Sequence, residues 1–255
     1  MQEKKIQEGK MEETRIEIEN FFNGLTFEEL SHRYYLGTRP LYTSVSGMVK
    51  EFANPFDVYT KSLKKALEEG VCQKEILDRW EEKKIKASKL GTETHSFGEK
   101  YVFDRDLIPS NGYEKAVVNF WKIIPEHIVP VVTELRMYHK RYLFAGTCDI
   151  LLFNKNTGEY ILCDYKTNER LFKNYAGERL LKCFSDLLKH DFNLYQIQLS
   201  LYQLLFEQTG HKIGKRKIIH LKNDGRFQIY DTINFIDRLQ GYLEDCHNDK
   251  TIQYE

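Results

Sequence analysis

The sequence predicts an α/β protein in which helices flank a mixed β-sheet. Three observations favour this fold class: helical patterning up to Pro130, a strand-rich region from Val131 to Thr167, and a helix and a β-hairpin after it. With 255 residues, of which 41% are hydrophobic, the chain is long enough to build one domain with a substantial core. We therefore expect the elements to share one compact body.

The region up to Pro130 is predicted to consist mainly of helices, with few strands. Turn signals such as Gly37–Pro40 and Asn54-Pro55 divide it into segments. The longest predicted helix runs from Gln73 to Tyr101, because apolar residues recur along it at helical spacing between charged positions. Gly91 lies within this helix and could interrupt it.

Three strands are predicted next, joined by short polar turns. β-Branched and aromatic residues dominate each strand, and His139-Lys-Arg and Asn154-Lys-Asn-Thr-Gly separate them. The predicted strands are Val131–Tyr138, Tyr142–Phe153 and Glu159–Thr167. Because the separating segments are short, we expect an antiparallel meander.

A helix and a hairpin follow the meander. Asn193 is predicted to cap the helix, since leucine and isoleucine residues recur at helical spacing after it, up to Gly210. A Lys-Asn-Asp-Gly sequence at Lys222 is typical of a hairpin turn. The predicted elements around and after this turn are strands Lys215–Leu221 and Arg226–Thr232 and a short helix from Asn234 to about Asp245.

The amino-acid composition limits the kinds of partner that the protein can bind and indicates its cellular compartment. Lysine and arginine (38) balance aspartate and glutamate (38), so any binding of nucleic acid must be local. The five cysteines show no CxxC spacing, which argues against a disulfide framework or a zinc site and is typical of a reducing cytosol. The first residues are polar and no run of about 18 apolar residues occurs, so we expect a soluble, cytoplasmic protein without a membrane span.

Two acids and a lysine are predicted to meet in the meander. Strand alternation places Asp164 and Lys166 on one face of their strand. If the preceding turn is centred on Asn156-Thr157, Asp149 lies directly across from Asp164, with β-carbons roughly 5 Å apart. Two ionised carboxylates at such a short distance repel each other unless a cation lies between them.

This arrangement predicts phosphodiester chemistry. Hard oxygen ligands select Mg²⁺ or Mn²⁺, which can activate a bound water and stabilise charge on a phosphoryl oxygen. Lys166 could orient that water or neutralise the transition state. The alternative is an ordinary surface ion pair between Asp164 and Lys166, which is the commoner origin of a lone D-x-K pattern. Here Asp149 and Asp164 both lie within otherwise apolar strands, where a charge without a partner is costly, and this context favours a functional site.

Four motifs in order resemble those of the RecB-like branch of the PD-(D/E)XK nuclease superfamily. That branch has a helical histidine, then G-x-x-D, a hairpin with (D/E)-x-K, and finally Q-x-x-x-Y. The corresponding segments here are Gly91-Thr-Glu-Thr-His95, Gly146-Thr-Cys-Asp149, Asp164-Tyr-Lys166 and Gln198-Leu-Ser-Leu-Tyr202. Upstream, Leu41-Tyr-Thr-Ser-Val-Ser46 is similar to segments of phage and mitochondrial genome maintenance exonucleases.

The resemblance implies a fold and a set of roles. It implies a restriction-endonuclease-like core over residues 91–255, with residues 1–90 forming a helical N-terminal region packed on that core. It implies Mg²⁺ or Mn²⁺ as cofactor and no iron–sulfur cluster, because the cysteine quartet of some relatives is missing. The implied metal ligands are His95, Asp149, Asp164 and the Tyr165 carbonyl. The implied catalytic residues are Asp149, Asp164 and Lys166, and Gln198 and Tyr202 would position the DNA strand or the lysine.

Two further acids are candidates for supporting roles around the metal. Glu99 lies one helical turn after His95 and could face the same site, or it could be one of many solvated helix acids. Glu134 begins a strand beside the one that carries Asp149, so it could lie near the metal or the DNA, or be an exposed strand-end acid. For Gln198 and Tyr202 the alternative is a helix that packs on the sheet, and both interpretations can hold.

Surface features could contact nucleic acid, although charge runs are usually solvated and tyrosines usually belong to the core. The basic clusters are Lys83–Lys86, Arg170–Lys189 and Lys215–Lys217, and the tyrosines considered for base stacking are Tyr34, Tyr35 and Tyr42.

The sequence therefore predicts a metal-dependent DNA exonuclease that acts on single-stranded or duplex ends in repair, recombination or phage DNA processing. The alternatives are a catalytically silent module that binds DNA or docks a partner on the same fold, and an endonuclease that uses the same site.

Overall fold

Helices alternate with short strands in the first half of the chain. The computed structural model describes residues 2–29, 31, 33–175 and 177–252. The elements in order are α1 (Gln2–Phe21), β1 (Leu25–Glu28), β2 (Arg33–Leu36), β3 (Arg39–Pro40), β4 (Thr43–Ser44), α2 (Val45–Glu51), α3 (Val58–Glu69), α4 (Gln73–Phe103) and α5 (Gly112–Lys122). The strands β1 to β3 form a small antiparallel sheet. The predicted helical character is confirmed, but the four short strands were missed, because runs of two to four residues are too short to show a period.

The helix α4 is unbroken over 31 residues, a length of about 46 Å. Gly91 does not interrupt the helix, since a single glycine costs only about 1 kcal/mol and the helix continues on both sides. The first part of α4 is exposed, whereas its second part is buried against the sheet. Gly98 permits this approach, because a β-carbon there would lie 2.6 Å from the Tyr165 ring. A division of the chain between residues 90 and 91 falls inside this helix.

A mixed sheet of six strands forms the central layer. Its remaining strands are β5 (Ile128–Tyr138), β6 (Phe144–Asn154), β7 (Glu159–Lys166), β8 (Ile213–Leu221) and β9 (Phe227–Asp231). Antiparallel pairs join β5 to β6, β6 to β7, and β8 to β9, whereas β7 and β8 run parallel. The predicted meander, C-terminal hairpin and mixed sheet flanked by helices are confirmed.

The β6–β7 hairpin has the predicted register. Asn154 pairs with Glu159, so the turn is centred between Asn156 and Thr157. The last pair at the open end is Ile150 with Cys163, one position before Asp149 and Asp164. From there β7 diverges, and the start of β6 pairs with β4 instead. The two strands therefore open a gap at the two acids.

Alternate residues of β7 face two separate cores. Leu162 belongs to the larger core, which is covered by α6 (Asp191–Glu207), α1 and α2. Ile161 and Tyr165 belong to the smaller core beneath α5 and the end of α4. Asp164 and Lys166 therefore lie on the α6 face, as strand alternation predicts.

Two details of the C-terminal third differ from the prediction. The N-cap of α6 is His190, whose ring accepts a hydrogen bond from the Asn193 N–H, and Asn193 itself is buried inside the first turn. A histidine ring can replace the usual small capping side chain, and the expected cap at Asn193 was therefore wrong. The last helix, α7 (Ile236–Ile252), continues beyond the predicted end at Asp245. Among the described helices, none combines the length and the low polarity needed to cross a bilayer.

Candidate functional site

The gap between β6 and β7 is filled by the carboxylate of Asp149. Its Oδ2 accepts a hydrogen bond of 2.8 Å from the backbone N–H of Tyr165, so a side chain replaces the missing backbone partner of the ladder. The same Oδ2 lies 3.2 Å from Nδ1 of His95 on α4. Only 11% of the Asp149 side chain is exposed. The acid is therefore held by the neighbouring strand β7 and by the helix α4.

Glu134 lies in the interior of β5, across from Asp149. Its neighbours Thr133 and Leu135 pair with Ile150 and Cys148, which leaves Glu134 opposite Asp149 in the register. Its φ is 51°, a left-handed conformation that costs a residue with a β-carbon about 1–2 kcal/mol. With this backbone, the Glu134 carboxylate lies within 4.8 Å of the ligand atoms of Asp149 and His95. The expectation that Glu134 begins its strand was wrong.

Three ligand-type side chains converge at this point. One ligand atom each of His95, Glu134 and Asp149 lies within 4.8 Å of the others. Within the described part of the chain, no other set of three or more histidine, cysteine or acidic residues converges in this way. An imidazole and two carboxylates form a donor set that suits a divalent cation. Glu134, considered only for a supporting role from sequence, thus belongs to the central group.

Asp164 forms an ion pair with Lys166 instead of joining that group. The two side chains share the α6 face and are almost buried, with 3% and 14% of their surface exposed. Apart from the contact with Lys166 Nζ, the Asp164 Oδ2 receives no hydrogen bond from the described residues. Asp164 Oδ2 therefore keeps unused acceptor capacity.

Crowding of negative charge raises the pKa values of two of the acids. Burial raises the pKa of Asp164 to about 6, and the charge of Asp149 adds to this effect. Burial also raises the pKa of Glu134 to about 7, with further contributions from the charges of Asp149 and Glu99. Glu99, one turn beyond His95, thus lies near enough for its charge to act on Glu134. Buried carboxylates that are crowded in this way are stabilised by protons or by a cation.

The charge of Asp149 is stabilised by its neighbours. Burial opposes its ionisation, but the attraction of His95, the hydrogen bond to it and the charge of Lys166 outweigh burial and lower the Asp149 pKa. In return, burial would lower the pKa of His95, yet the Asp149 carboxylate raises it to about 9. The acids similarly raise the pKa of Lys166 against the effect of its burial, so its ammonium stays charged at neutral pH.

The side chain and the backbone of Tyr165 lie in different surroundings. The ring is buried in the smaller core, where its hydroxyl accepts a hydrogen bond of 2.8 Å from the Trp121 indole N–H. The backbone N–H points into the gap, towards Asp149. Because the N–H and C=O of a strand residue point to the same side, the Tyr165 carbonyl also faces this gap.

The helix α6 covers the site from the other side. The Gln198 amide donates a hydrogen bond of 2.9 Å to the Tyr202 hydroxyl, and Tyr202 is buried with 5% of its surface exposed. Its ring lies so close to Gly146 that a β-carbon there would meet it at 2.7 Å. The glycine of the G-x-x-D motif is thus required by packing against the tyrosine of the Q-x-x-x-Y motif.

Sequence reasoning missed Tyr195. Its half-buried ring lies 4.5 Å from Lys166 Nζ, in cation–π contact. The signal was present, because Tyr195 precedes Gln198 by three residues and therefore shares its helix face.

Most of the other surface features have structural partners. Tyr34 is buried, with its hydroxyl 2.8 Å from the Thr147 Oγ1, whereas Tyr42 is 72% exposed. Lys84 and Lys86 form ion pairs along α4, and Lys217 pairs with Asp231. The start of the basic segment Arg170–Lys189 remains available for a ligand.

A scan of protein-family models found no match for this chain, and a search of curated proteins found none either. The interpretation of the site therefore depends on its geometry and on the four motifs.

Proposed function

We propose that this protein is a divalent-metal-dependent nuclease that hydrolyses phosphodiester bonds in DNA, with a restriction-endonuclease-like core of the PD-(D/E)XK superfamily. One observation carries the proposal. The ligand atoms of His95, Glu134 and Asp149 converge in a strand gap beside the buried Asp164–Lys166 pair. Strongly shifted pKa values of the kind found here cluster at functional sites.

The donor set fits a hard divalent cation. His95, Glu134 and Asp149 would hold it, with Asp164 and the Tyr165 carbonyl beside them. Oxygen ligands suit Mg²⁺ or Mn²⁺, and the imidazole is compatible with Mn²⁺. When bound, such a cation lowers the pKa of a coordinated water and offsets charge on a phosphoryl oxygen.

Lys166 acts in this proposal as a positive charge. Its raised pKa keeps the ammonium protonated at neutral pH, so it donates hydrogen bonds to the attacking water or to a phosphoryl oxygen and does not remove a proton. The ring of Tyr195 and the carboxylate of Asp164 hold the ammonium in place. An ionised carboxylate next to Lys166 remains available to accept a proton.

We further propose exonuclease action at DNA ends, in repair, recombination or phage DNA processing. This step is supported by the resemblance of the motif order and of Leu41–Ser46 to phage and mitochondrial genome maintenance exonucleases. An endonuclease would use the same side chains, and linear and circular substrates separate the two activities, since an exonuclease requires an end. An inactive DNA-binding module would not need to retain the buried lysine and acids together.

The experiment compares end-labelled single-stranded, duplex and circular DNA in Mg²⁺, Mn²⁺ or EDTA. We expect cleavage only with a divalent cation, and its loss in Asp149→Asn but not in Asp106→Asn, an exposed acid remote from the site. Calorimetry should show Mn²⁺ binding to the parent protein and not to Asp149→Asn. Cleavage in EDTA, or full activity of Asp149→Asn, would contradict the proposal.

A further inference from the structure

A depression lies on the α6 face of the sheet. It is next to the candidate metal site but is lined by other residues. Its volume is about 390 Å³. Its main lining residues are Arg170, Phe172, Lys173, His220, Lys222 and Tyr230. We call it the Phe172 groove.

The Phe172 groove adjoins the candidate metal site through the sheet. Lys166 pairs with His220 on the neighbouring parallel strand, and Asp164 pairs with Ile218, which in turn pairs with Tyr230. Residues paired in this way point to the same face, and adjacent strands lie about 4.8 Å apart. The chain after Lys166 then supplies Arg170 and the following residues. A flexible polymer of a few repeating units can therefore reach from one site to the other.

An aromatic platform forms one wall of the Phe172 groove. The Phe172 ring is 50% exposed, although it rests on Phe192 at 4.9 Å and on Tyr230 at 5.3 Å between ring centroids. An exposed ring supported from below by two other rings is fixed in place and still offers a free surface. Such a surface suits the stacking of a planar ligand.

Three cations surround this platform. Arg170 and Lys173 are exposed and Lys222 is half-buried, and none of them forms an ion pair with a residue that the structure describes. Glu169 is the one acid in the lining. The His220 ring is buried and hydrogen-bonded to the Asn168 carbonyl, and its burial lowers its pKa, so it adds no charge at neutral pH. The groove is therefore positive overall.

We propose that the Phe172 groove is a subsite that holds a base and its flanking phosphates of a single-stranded nucleic acid as the strand runs to the candidate metal site. Lys173 lies over the Tyr175 ring and Lys222 contacts His220 Nε2, but neither contact neutralises the charge. The combination of an exposed ring with cations that have no acidic partner among the described residues matches a strand, in which flat bases alternate with anionic phosphates. A duplex does not fit this chemistry, because its bases are stacked on one another and present no free face. This proposal rests on the proposed nuclease function and names the form of its substrate.

The test measures binding of a fluorescent oligothymidylate by anisotropy in EDTA, where hydrolysis is not needed. Phe172→Ala should weaken the Kd about 5- to 150-fold, the range expected for loss of one base–aromatic stack. Phe172→Leu, which keeps an apolar side chain on Phe192 but has no ring, should weaken it similarly. Tyr59→Ala, which removes an exposed ring far along the chain on α3, should leave the Kd unchanged. Circular dichroism verifies the fold of each variant.

Salt dependence tests the cations separately. Each lost phosphate contact lowers the slope of log K against log salt by about 0.7 for a single strand. We expect this decrease in Arg170→Ala and in Lys222→Ala, but not in Lys155→Ala at the exposed β6–β7 turn. Oligodeoxyuridylate and oligouridylate, which differ only in the 2′-hydroxyl, identify the sugar in parallel: binding of either polymer that depends on Phe172 supports the subsite, and the tighter polymer is the preferred one.

Three outcomes would overturn the subsite: an unchanged Kd in both Phe172 variants, an equal loss of duplex binding, or photo-crosslinks from 4-thiothymidine that map only outside the segments with Phe172 and Tyr230. The two proposals fail separately. Phe172-dependent binding without any metal-dependent cleavage would refute the nuclease and leave the subsite, whereas cleavage with unchanged binding in the Phe172 variants would refute the subsite alone.

Discussion

The candidate metal site and the exposed first part of α4 both bring acids and bases into contact, but in different surroundings. Lys74 and Asp78 on α4 are 2.6 Å apart, and 81% and 62% of their side chains are exposed. Asp164 and Lys166 make an equally close contact with 3% and 14% exposed. Solvent and salt screen the first pair, whereas the second has lost its hydration and depends on its neighbours. Contact distance alone therefore does not distinguish the two ion pairs, whereas the exposed fraction of their side chains does.

The largest difference between the two regions should appear in activity. Lys166→Ala should reduce kcat for DNA hydrolysis by about 10²–10³-fold, the usual effect of removing one preorganised charge donor. Lys74→Ala should leave kcat unchanged, because its ammonium is solvated and remote from the site. Initial rates with end-labelled DNA at saturating Mn²⁺ measure both. A comparable loss of kcat in the two variants would contradict the distinction between the buried and the exposed ion pair.

Stability should depend on pH through the buried acids. The pKa values of Asp164 and Glu134 are raised to about 6 and about 7, so the folded protein binds more protons than the unfolded chain, whose carboxyls titrate near 4. Their stabilising contribution is complete below about pH 4 and is lost as the pH rises to about 7. We expect the free energy of unfolding in EDTA to fall by several kcal/mol over this window, since a change of one pKa unit corresponds to about 1.4 kcal/mol.

Urea unfolding in EDTA at pH 5 and pH 7.5 measures this dependence. Glu134→Gln should flatten it, whereas Glu126→Gln at an exposed position should not. Addition of Mn²⁺ at pH 7.5 should restore stability, since the cation replaces the lost protons. A pH dependence that is identical in Glu134→Gln and the parent would refute the electrostatic account of this site.

The packing around two glycines gives a further comparison between a buried and an exposed position. Gly146→Ala forces a β-carbon to within 2.7 Å of both the Tyr202 ring and the Val45 side chain, so we expect a destabilisation of about 1–3 kcal/mol. In Gly241→Ala on α7 the new β-carbon meets no atom within 4 Å, and better helix propensity should stabilise the protein by up to about 1 kcal/mol. Thermal unfolding of the two variants should therefore shift Tm in opposite directions, and a shared direction would contradict the packing argument.

The smallest effect on stability is expected in the exposed first part of α4. Lys86→Ala removes an ion pair with Glu82 in which 74% and 64% of the side chains are exposed. We expect no resolvable change in the urea midpoint at physiological salt, because screening and side-chain entropy offset the attraction. A clear decrease of the urea midpoint would show that ion pairs stabilise the exposed first part of α4. It would weaken the contrast between these exposed ion pairs and the buried Asp164–Lys166 pair.

Local sequence was sufficient to predict the hairpin that carries two of the acids. Its turn residues and alternating strands fix the register, so Asp149 could be placed across from Asp164. The position of Lys166 on the same face as Asp164 follows from the same alternation. These features depend on neighbours within a few residues, which is why sequence reasoning reached them.

The features that were missed depend on distant parts of the chain. No local pattern shows that Glu134 adopts a left-handed backbone in the middle of β5, because sheet packing and not residue preference imposes it. Likewise, the His190 cap of α6 depends on how the preceding segment packs. The central role of Glu134 could have been suspected only from its register opposite Asp149.

The order of the strands also bears on how the chain folds. The β6–β7 hairpin closes through one short turn, so its two carboxylates become neighbours as soon as that turn forms. The parallel partner β8 must wait until the whole crossover from Thr167 to Lys212, including α6, has been placed, and such non-local pairing is slow. We therefore expect a newly made chain to bring its acids together early and to acquire the Phe172 groove only in the last steps of folding.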